Sequence, residues 1–381
     1  MVKSMKLLFV TQSTIGGTLE YFKLLIPRLA EKGDEITVAC PSYGPMKTEL
    51  ERMGINVHVI EMVREISPVG DICSIRQLVR YIKSNDFDMI HAHSSKAGAI
   101  GRISAFLCGI PCVYTAHGWS FSMDVSKLHK RMYICIEKLL ALLCRRIIAI
   151  SEFEKNIALK YRIARKNKIR LILNGIDVKS FAPMPQRKCF MKRRLGIKEN
   201  VPVIGMVGRL ALSKDPITFV RAAKIIADSG YPVFFLLVGD GELRGEVEQE
   251  ISKLGLSDKF LITGWVENVP EYINVFDIGV LTSRWEGFGL VLAEYMANGV
   301  PVVASNTGGI PDVVADGETG ALVNTCDTLG FAAAIMNLLC DEALRNRFIK
   351  SGLERVGSQF HIERVVQQHH ELYLELISFS H

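Results

Sequence analysis

Short apolar runs recur along this chain, each followed by a stretch with helical spacing, and that alternation restricts the fold more than any other feature. The first set runs Lys6–Thr11, Glu35–Cys40, Asn56–Ile60, Asp88–Ala92, Cys112–Ala116, Ile147–Ile150 and Ile169–Leu173. A second set starts at Val203–Val207 and continues through Val233–Val238, Lys259–Thr263, Ile278–Leu281, Val302–Ala304 and Ala321–Asn324. Strands alternating with helices imply a parallel sheet covered on both faces. Pro183-Met184-Pro185 interrupts the pattern, so the expectation is two doubly wound α/β domains, the first ending at residue 183. Residues 184–200 read as a basic linker or short helix, and 201–360 as the second domain. A cleft between two such domains is the natural place for a ligand.

The length of 381 residues suits two domains. Nine cysteines form no C-x-x-C pair and no Cys/His metal spacing, which reads as reduced thiols of a cytoplasmic protein. Met1–Ser4 leads straight into a strand and no apolar run is long enough to span a bilayer, so neither a signal peptide nor a membrane span is expected. The net charge of +6 hides an asymmetry. Residues 1–180 carry 27 Lys and Arg against 16 Asp and Glu, and residues 181–381 carry 19 against 24. A basic first half points to an anionic partner: phosphates, an acidic lipid surface or nucleic acid. Arg145-Arg146 follow an apolar run, and Lys160–Arg170 holds six basic residues, a pattern that fits a helix lying on an anionic membrane. An unevenly charged, solvated surface is the competing reading.

In open parallel sheets ligands sit beyond the C-terminal ends of strands, and the polar residues of interest fall there. The densest stretch runs from Ser283 to Val313. Glu286 lies in a loop, followed by Gly287, Phe288, Gly289 and Leu290, and Glu294 lies inside the helix that follows. Eight positions are a little over two helical turns, so the two glutamates share a side at different heights. The glycines let backbone amides approach a ligand, and a helix N-terminus attracts phosphate. Gly16-Gly17 make a similar strand–loop–helix passage near the N-terminus. Arg209 and Lys214 share the loop after the first strand of the second domain, an Arg fork and a Lys point charge suited to a diphosphate. His117, beside Gly118, can donate to an anion or a sugar hydroxyl, whereas His91, between Ile90 and Ala92, reads as structural. Asp86-Phe87-Asp88 has the D-x-D form of a metal–nucleotide motif but sits at the wrong end of its strand. Gly239-Asp240-Gly241 fails the dinucleotide fingerprint because Arg244 stands where the third glycine belongs.

These motifs together resemble the retaining, nucleotide-sugar-dependent glycosyltransferases of family 4. The resemblance rests on E-G-F-G-L-V-L-A-E from Glu286 to Glu294, then G-V-P-V-V-A and G-G-I-P-D, the G-R-L loop with Lys214, and N-G-I-D from Asn174 to Asp177, and it covers essentially the whole chain. It implies a GT-B fold, two Rossmann-like domains facing across a cleft, with the last helix returning so that residues 361–381 join the first domain. It also implies roles. Gly16 and Gly17 touch the donor diphosphate, and Arg209 and Lys214 neutralise it as it leaves. Glu294 binds the ribose. Glu286, with the backbone around Gly287, Phe288, Gly289 and Leu290, holds the donor sugar. His117 contacts the sugar or phosphate near the reacting carbon, and Val266 lies near the base, uracil or guanine. No metal and no cofactor are implied. The segments Ala92–Gly98 and Tyr114–Trp119 look most like the bacterial branch that builds capsule, exopolysaccharide or O-antigen. That branch implies a UDP-sugar donor, a polyprenyl diphosphate-linked sugar acceptor, no nucleic acid, and a cytoplasmic enzyme resting on the inner membrane face through its basic domain. A small soluble acceptor, or a non-catalytic sugar- or nucleotide-binding protein, are the alternatives.

Overall fold

The structure is a computed structural model that describes residues 4–63 and 65–378. The chain forms two compact units. One runs up to Asn174 and resumes at Ile362; the other is Gly175–His361.

In the first unit the strands are β1 (Lys6–Val10), β2 (Glu35–Cys40), β3 (Asn56–Val59), β4 (Met89–His93), β5 (Cys112–Thr115), β6 (Arg146–Ala149) and β7 (Ile169–Leu171). Between them lie α1 (Gly17–Glu31), α2 (Met46–Arg52), α3 (Pro68–Lys83), α4 (Ser95–Cys108), α5 (Lys127–Ala141) and α6 (Glu152–Lys160). The sheet is parallel throughout, in the order β3-β2-β1-β4-β5-β6-β7. The two-residue period of β1 divides the core. Leu7 and Phe9 face one layer with Phe22, Leu25 and Ile26 of α1, while Leu8 and Val10 face the other with Ile90, Tyr114 and Trp119.

The second unit repeats the plan. It holds α7 (Pro185–Arg194), β8 (Val203–Val207), α8 (Pro216–Asp228), β9 (Phe234–Val238), α9 (Arg244–Lys253), β10 (Phe260–Ile262) and α10 (Val269–Ile273). Then come β11 (Ile278–Leu281), α11 (Leu290–Ala297), β12 (Val302–Ser305), α12 (Ile310–Val313), β13 (Gly320–Val323), α13 (Thr328–Cys340) and α14 (Glu342–Gln359). Its parallel order is β10-β9-β8-β11-β12-β13. The final helix, α15 (Ile362–Ser378), belongs to the first unit, where Arg28 pairs with Glu363 at 3.0 Å and Tyr21 meets His369 at 2.9 Å. In each sheet the strand order reverses at one place, between β1 and β4 and between β8 and β11. In each unit, taken by itself, the loops that leave its two strands at the reversal therefore flank the place where ligands of such sheets bind.

One expected boundary is corrected. The first unit ends at Asn174, not at 183, and of the two readings of residues 184–200 the structure shows the short helix and not the linker. Met184 exchanges two hydrogen bonds with the Asn274 side chain, at 2.8 and 2.9 Å, and Asn298 Nδ2 donates to Phe181 O at 3.0 Å. The basic run folds as α7 because Asp277 supplies its counter-charge, with Lys188 at 2.8 Å and Lys192 at 3.5 Å. Asp71 lies inside α3 and not at its N-cap, which is Ser67. Pro68 occupies the first turn, where a missing N–H costs nothing. Asp71 sits one turn in, accepting from Ser67 N at 3.3 Å and pairing with Lys96 at 2.7 Å.

Candidate active site

The second unit carries two candidate loops whose positions are fixed by backbone contacts. Beyond β11, Thr282 Oγ1 donates to the carbonyls of Lys214 and Asp215 at 3.0 and 2.9 Å, and Arg284 N donates to Ser213 O at 2.8 Å. Asp215 has a left-handed backbone, φ 47°, which turns the chain into α8. Its buried carboxylate accepts from Arg284 Nε at 3.1 Å and Thr218 Oγ1 at 2.8 Å. Two groups pointing at the carboxylate offset the cost of burying it. With the loop pinned in this way, the Lys214 ammonium lies against the Glu286 carboxylate, which also accepts from Ser283 Oγ at 3.0 Å.

Glycine is required where these loops cross. A Cβ on Gly308, whose φ is 56°, would stand 2.0 Å from Glu286 O, and one on Gly309 would stand 2.1 Å from Gly287 O. Gly309 N donates to Glu286 O at 3.0 Å, so the backbone carrying Glu286 rests directly on the turn into α12. Gly289, at φ 90°, opens α11. The Phe288 side chain turns inward, 2% exposed and edge-on to Phe360 at 5.5 Å, leaving only its backbone for a ligand. Leu290 begins α11 and Glu294 lies half-buried on its second turn. The helix is registered by Tyr295, whose hydroxyl accepts from Val207 N at 2.7 Å above a position, Gly279, where a Cβ would clash with its ring.

Lys214, Glu286 and residues 287–290 are thus brought together. Arg209 is exposed and turns to Glu242, 3.0 Å away. Val266 is half-buried in the loop after β10, next to an exposed Trp265. Among the described residues, no group of three or more His, Cys, Asp or Glu side chains is placed to hold a metal ion. Asp88 receives Lys6 N at 2.7 Å at the start of β4, a structural use at the edge away from these loops. A recess of about 580 Å³, lined by Lys6, Asp34, Thr37, His58 and Tyr81, opens at that same edge beside the starts of β1 to β3, where none of the candidate residues lies.

The first unit presents Gly16 and Gly17, both exposed, at the entrance to α1. Gly16 has φ 67°, and an added Cβ at either glycine would meet no atom, so the backbone is open to a ligand there. One turn on, the Tyr21 ring packs edge-on against His117 at 5.0 Å. His117 has a left-handed backbone, φ 53°, held by the residue after it: Gly118 N donates to Glu154 Oε1 at 2.6 Å. Glu154 is itself buried, takes Ile150 N at 3.2 Å on its other oxygen, and has its own N–H capped by Ser151 Oγ at 3.1 Å. Burial pushes its carboxyl up to about 7, against the opposing pull of those two backbone N–H groups. His117 is pushed down to about 3, first by burial and then by the neighbouring His369. It is neutral at physiological pH and too weak a base to take up a proton, but it can donate a hydrogen bond.

Behind it lies a histidine layer. His93 Nδ1 is 2.9 Å from His117 Nε2. His91 meets Tyr373 at 2.6 Å and Thr115 at 2.8 Å, and His369 Nδ1 donates to Val365 O at 2.8 Å. His91 is structural, as its sequence setting implies. The partnership of His93 with His117 was not drawn from the sequence, although H-x-H on a strand places both histidines on one face. Glu154 carried no motif at all.

The description "Glycosyl transferases group 1" matches residues 188–355, and "Glycosyltransferase Family 4" matches residues 15–180. The chain is 32% identical over 347 residues to the UDP-Gal:alpha-D-GlcNAc-diphosphoundecaprenol alpha-1,3-galactosyltransferase of Escherichia coli, covering 90% of this chain and 89% of that one. It is 29% identical over 323 residues to the capsular polysaccharide biosynthesis glycosyltransferase CapM of Staphylococcus aureus, covering 83% and 84%. Among solved structures, HepE of Anabaena in complex with UDP and glucose superposes with a TM-score of 0.86 at 25% identity, covering 98% of this chain and all of the other. The two parallel-sheet units, the glycine-braced glutamate loop and these likenesses converge: the chain belongs to the family 4 glycosyltransferases, with the GT-B fold.

Proposed function

We propose that this glycosyltransferase moves a sugar from a UDP-sugar to a sugar carried on polyprenyl diphosphate, with retention at the anomeric carbon and without a divalent metal. The observation that carries the proposal is the fixed ammonium of Lys214, held by Glu286 at the strand ends beside β8 and β11. As the bond from the anomeric carbon to the diphosphate oxygen breaks, negative charge gathers on the diphosphate. A preorganised cation stabilises it with no reorganisation at the moment of reaction. Arg209, on the same loop, swings from exposed Glu242 to add a second. Glu286 takes donor sugar hydroxyls, Glu294 the ribose, and His117 donates to the sugar or phosphate. The acceptor hydroxyl attacks the same face, and its proton passes to the departing phosphate oxygen. The donor nucleotide follows the E. coli relative, named for UDP-Gal, and HepE, solved with UDP. The acceptor follows the E. coli relative, named for a GlcNAc-diphosphoundecaprenol substrate.

A lipid-borne acceptor asks for a membrane-facing surface, and α5 provides one. Leu128, Met132, Ile136, Leu139 and Leu142 repeat at helical spacing and are all exposed, Leu128 and Leu142 by more than three quarters (77% and 76%). Exposed Lys127, Arg131 and Lys138 flank the stripe. An apolar stripe with a basic border suits a helix lying in an anionic lipid surface. Among the described residues no helix is long and apolar enough to cross a membrane, and we place the protein at the inner face as a peripheral enzyme.

The test is transfer in excess EDTA, from a panel of UDP-sugars to GlcNAc-diphosphoundecaprenol, with the new linkage read by NMR. Lipid product of retained configuration supports the proposal. Product only after magnesium is restored, an inverted linkage, or transfer confined to soluble acceptors would overturn the corresponding part of it.

A further inference from the structure

We propose that His93 is a positioning residue that fixes the tautomer of His117, so that His117 presents Nδ1–H, a neutral hydrogen-bond donor, to the donor substrate. This deepens the reading of His117 given above and rests on it for the role in turnover.

The argument begins with what surrounds His93. Its ring is fully buried at the end of β4, stacked on Phe9 at 5.3 Å and edge-on to Phe22 at 4.7 Å. One nitrogen, Nδ1, faces His117 Nε2 at 2.9 Å. The other, Nε2, is buried with no hydrogen-bond partner among the described residues. A neutral imidazole carries one N–H and one bare nitrogen, and the two rings must share a single proton between the facing atoms. Two arrangements satisfy that. In one, His93 holds its proton on Nε2, and an N–H is buried against aromatic carbon with nothing to accept it. In the other, His93 holds its proton on Nδ1 and donates it to His117 Nε2, leaving only a bare lone pair enclosed. Among backbone groups, orphaned buried N–H donors are rarer than under-satisfied carbonyls; by the same preference for pairing the N–H, the second arrangement is favoured. His117 Nε2 is then the acceptor, and the proton of His117 resides on Nδ1.

That atom has no protein partner and is not enclosed, among the described residues. The rest of the layer holds the rings in register. His369 donates through Nδ1 to Val365 O, so its Nε2 accepts from the Tyr21 hydroxyl at 2.9 Å, and Tyr21 packs on the His117 ring. Both His93 and His117 are held neutral by burial, so the assignment persists across the physiological range. A donor at Nδ1 recognises an oxygen with a lone pair, a sugar hydroxyl or a phosphoryl oxygen, and gives it a hydrogen bond without surrendering the proton.

The experiment is long-range 1H–15N correlation on histidine-labelled protein at pH 7 with no substrate present, the His117 signals being assigned by their loss in His117→Gln. The expected result is a protonated-type Nδ1 and a bare-type Nε2 for His117. The reverse pattern overturns the proposal in the wild-type protein, independently of any variant's folding. His93→Asn keeps a side-chain N–H where Nδ1 stood and should retain both the His117 pattern and most of the turnover. His93→Phe removes it. The expected outcome there is loss of the fixed tautomer with a fall in kcat of about tenfold to a hundredfold and UDP affinity unchanged. Equal losses of kcat in both variants would reduce His93 to core packing. A wild-type rate in His117→Gln would remove His117 from catalysis while leaving the tautomer assignment standing, so the two claims fail separately.

Discussion

At the residue scale, Glu286 holds Lys214, and the proposed function gives it a second duty, offering oxygens to the donor sugar. Glu286→Gln keeps one acceptor for Ser283 and loses the charge that orients the ammonium. Turnover in the sugar-transfer assay should fall about a hundredfold, and an unchanged kcat would show that the pair is only a surface ion pair. Glu154 lends itself to a pH test. Its folded carboxyl, at about 7, holds a proton that the unfolded chain releases near 4.5. Between those values the folded state binds more protons, so this group's contribution to stability declines as pH rises through the window, by up to about 1.4 kcal/mol per pH unit. Urea midpoints of the wild type and Glu154→Gln should therefore converge or diverge steadily from pH 4.5 to 7. Parallel curves would mean that the two backbone donors keep the carboxylate ionised. The sequence made the candidate loops legible because particular residue types stand out there: a Lys and an Arg on one loop, glycines where Gly308 rests on Glu286. It did not disclose His93 or Glu154. Their importance comes from a neighbour brought close by folding, 24 residues away for His93 and 36 for the Gly118 N–H bound by Glu154.

At the element scale, the strand–helix alternation was enough to place all thirteen described strands. Parallel strands carry their own signal in short apolar runs. The region after Pro183 stayed open between linker and short helix because a basic run resembles a linker until its counter-charge is known, and Asp277, which pairs with Lys188 and Lys192, lies far along the chain. The turn into α12 gives a direct test of how the glutamate loop is held. Gly308→Ala puts a methyl group 2.0 Å from Glu286 O at a left-handed φ, so the loop must shift. A loss of stability of about 1–3 kcal/mol in urea unfolding, together with weaker UDP binding, is expected. A variant with wild-type values would show that the crossing of the two loops is loose. For α5, the double change Leu128→Asp and Leu139→Asp charges the exposed stripe without touching the core. Flotation with phosphatidylglycerol vesicles should be lost while UDP affinity is kept. Continued flotation would move the membrane contact elsewhere.

At the scale of the whole molecule, two units of similar plan carry different burdens. The first holds a layer of histidines, the buried His91, His93 and His369 with the part-buried His117, all held below their ordinary value by desolvation, His117 to about 3 and His369 to about 4. For a base the sign is opposite to that of Glu154. The stability these groups contribute is complete above about pH 6.5 and is lost as pH falls toward 4, because the unfolded chain takes up the protons first. The first unit should therefore unfold on mild acidification, followed through Trp119, whose signal belongs to that unit. Retention of its fluorescence unchanged to pH 4 would contradict the burial of the layer. The second unit carries the Lys214 ammonium to which the proposed function assigns the leaving group's charge. The most direct measurement is titration of UDP into the protein in excess EDTA, with wild type beside Lys214→Ala. Binding should persist without any divalent ion and weaken about tenfold to a hundredfold when the ammonium is removed, the worth of one charge-assisted bond. Binding that appears only when magnesium is added, or equal affinity in the two proteins, would contradict a donor site built on a fixed side-chain cation.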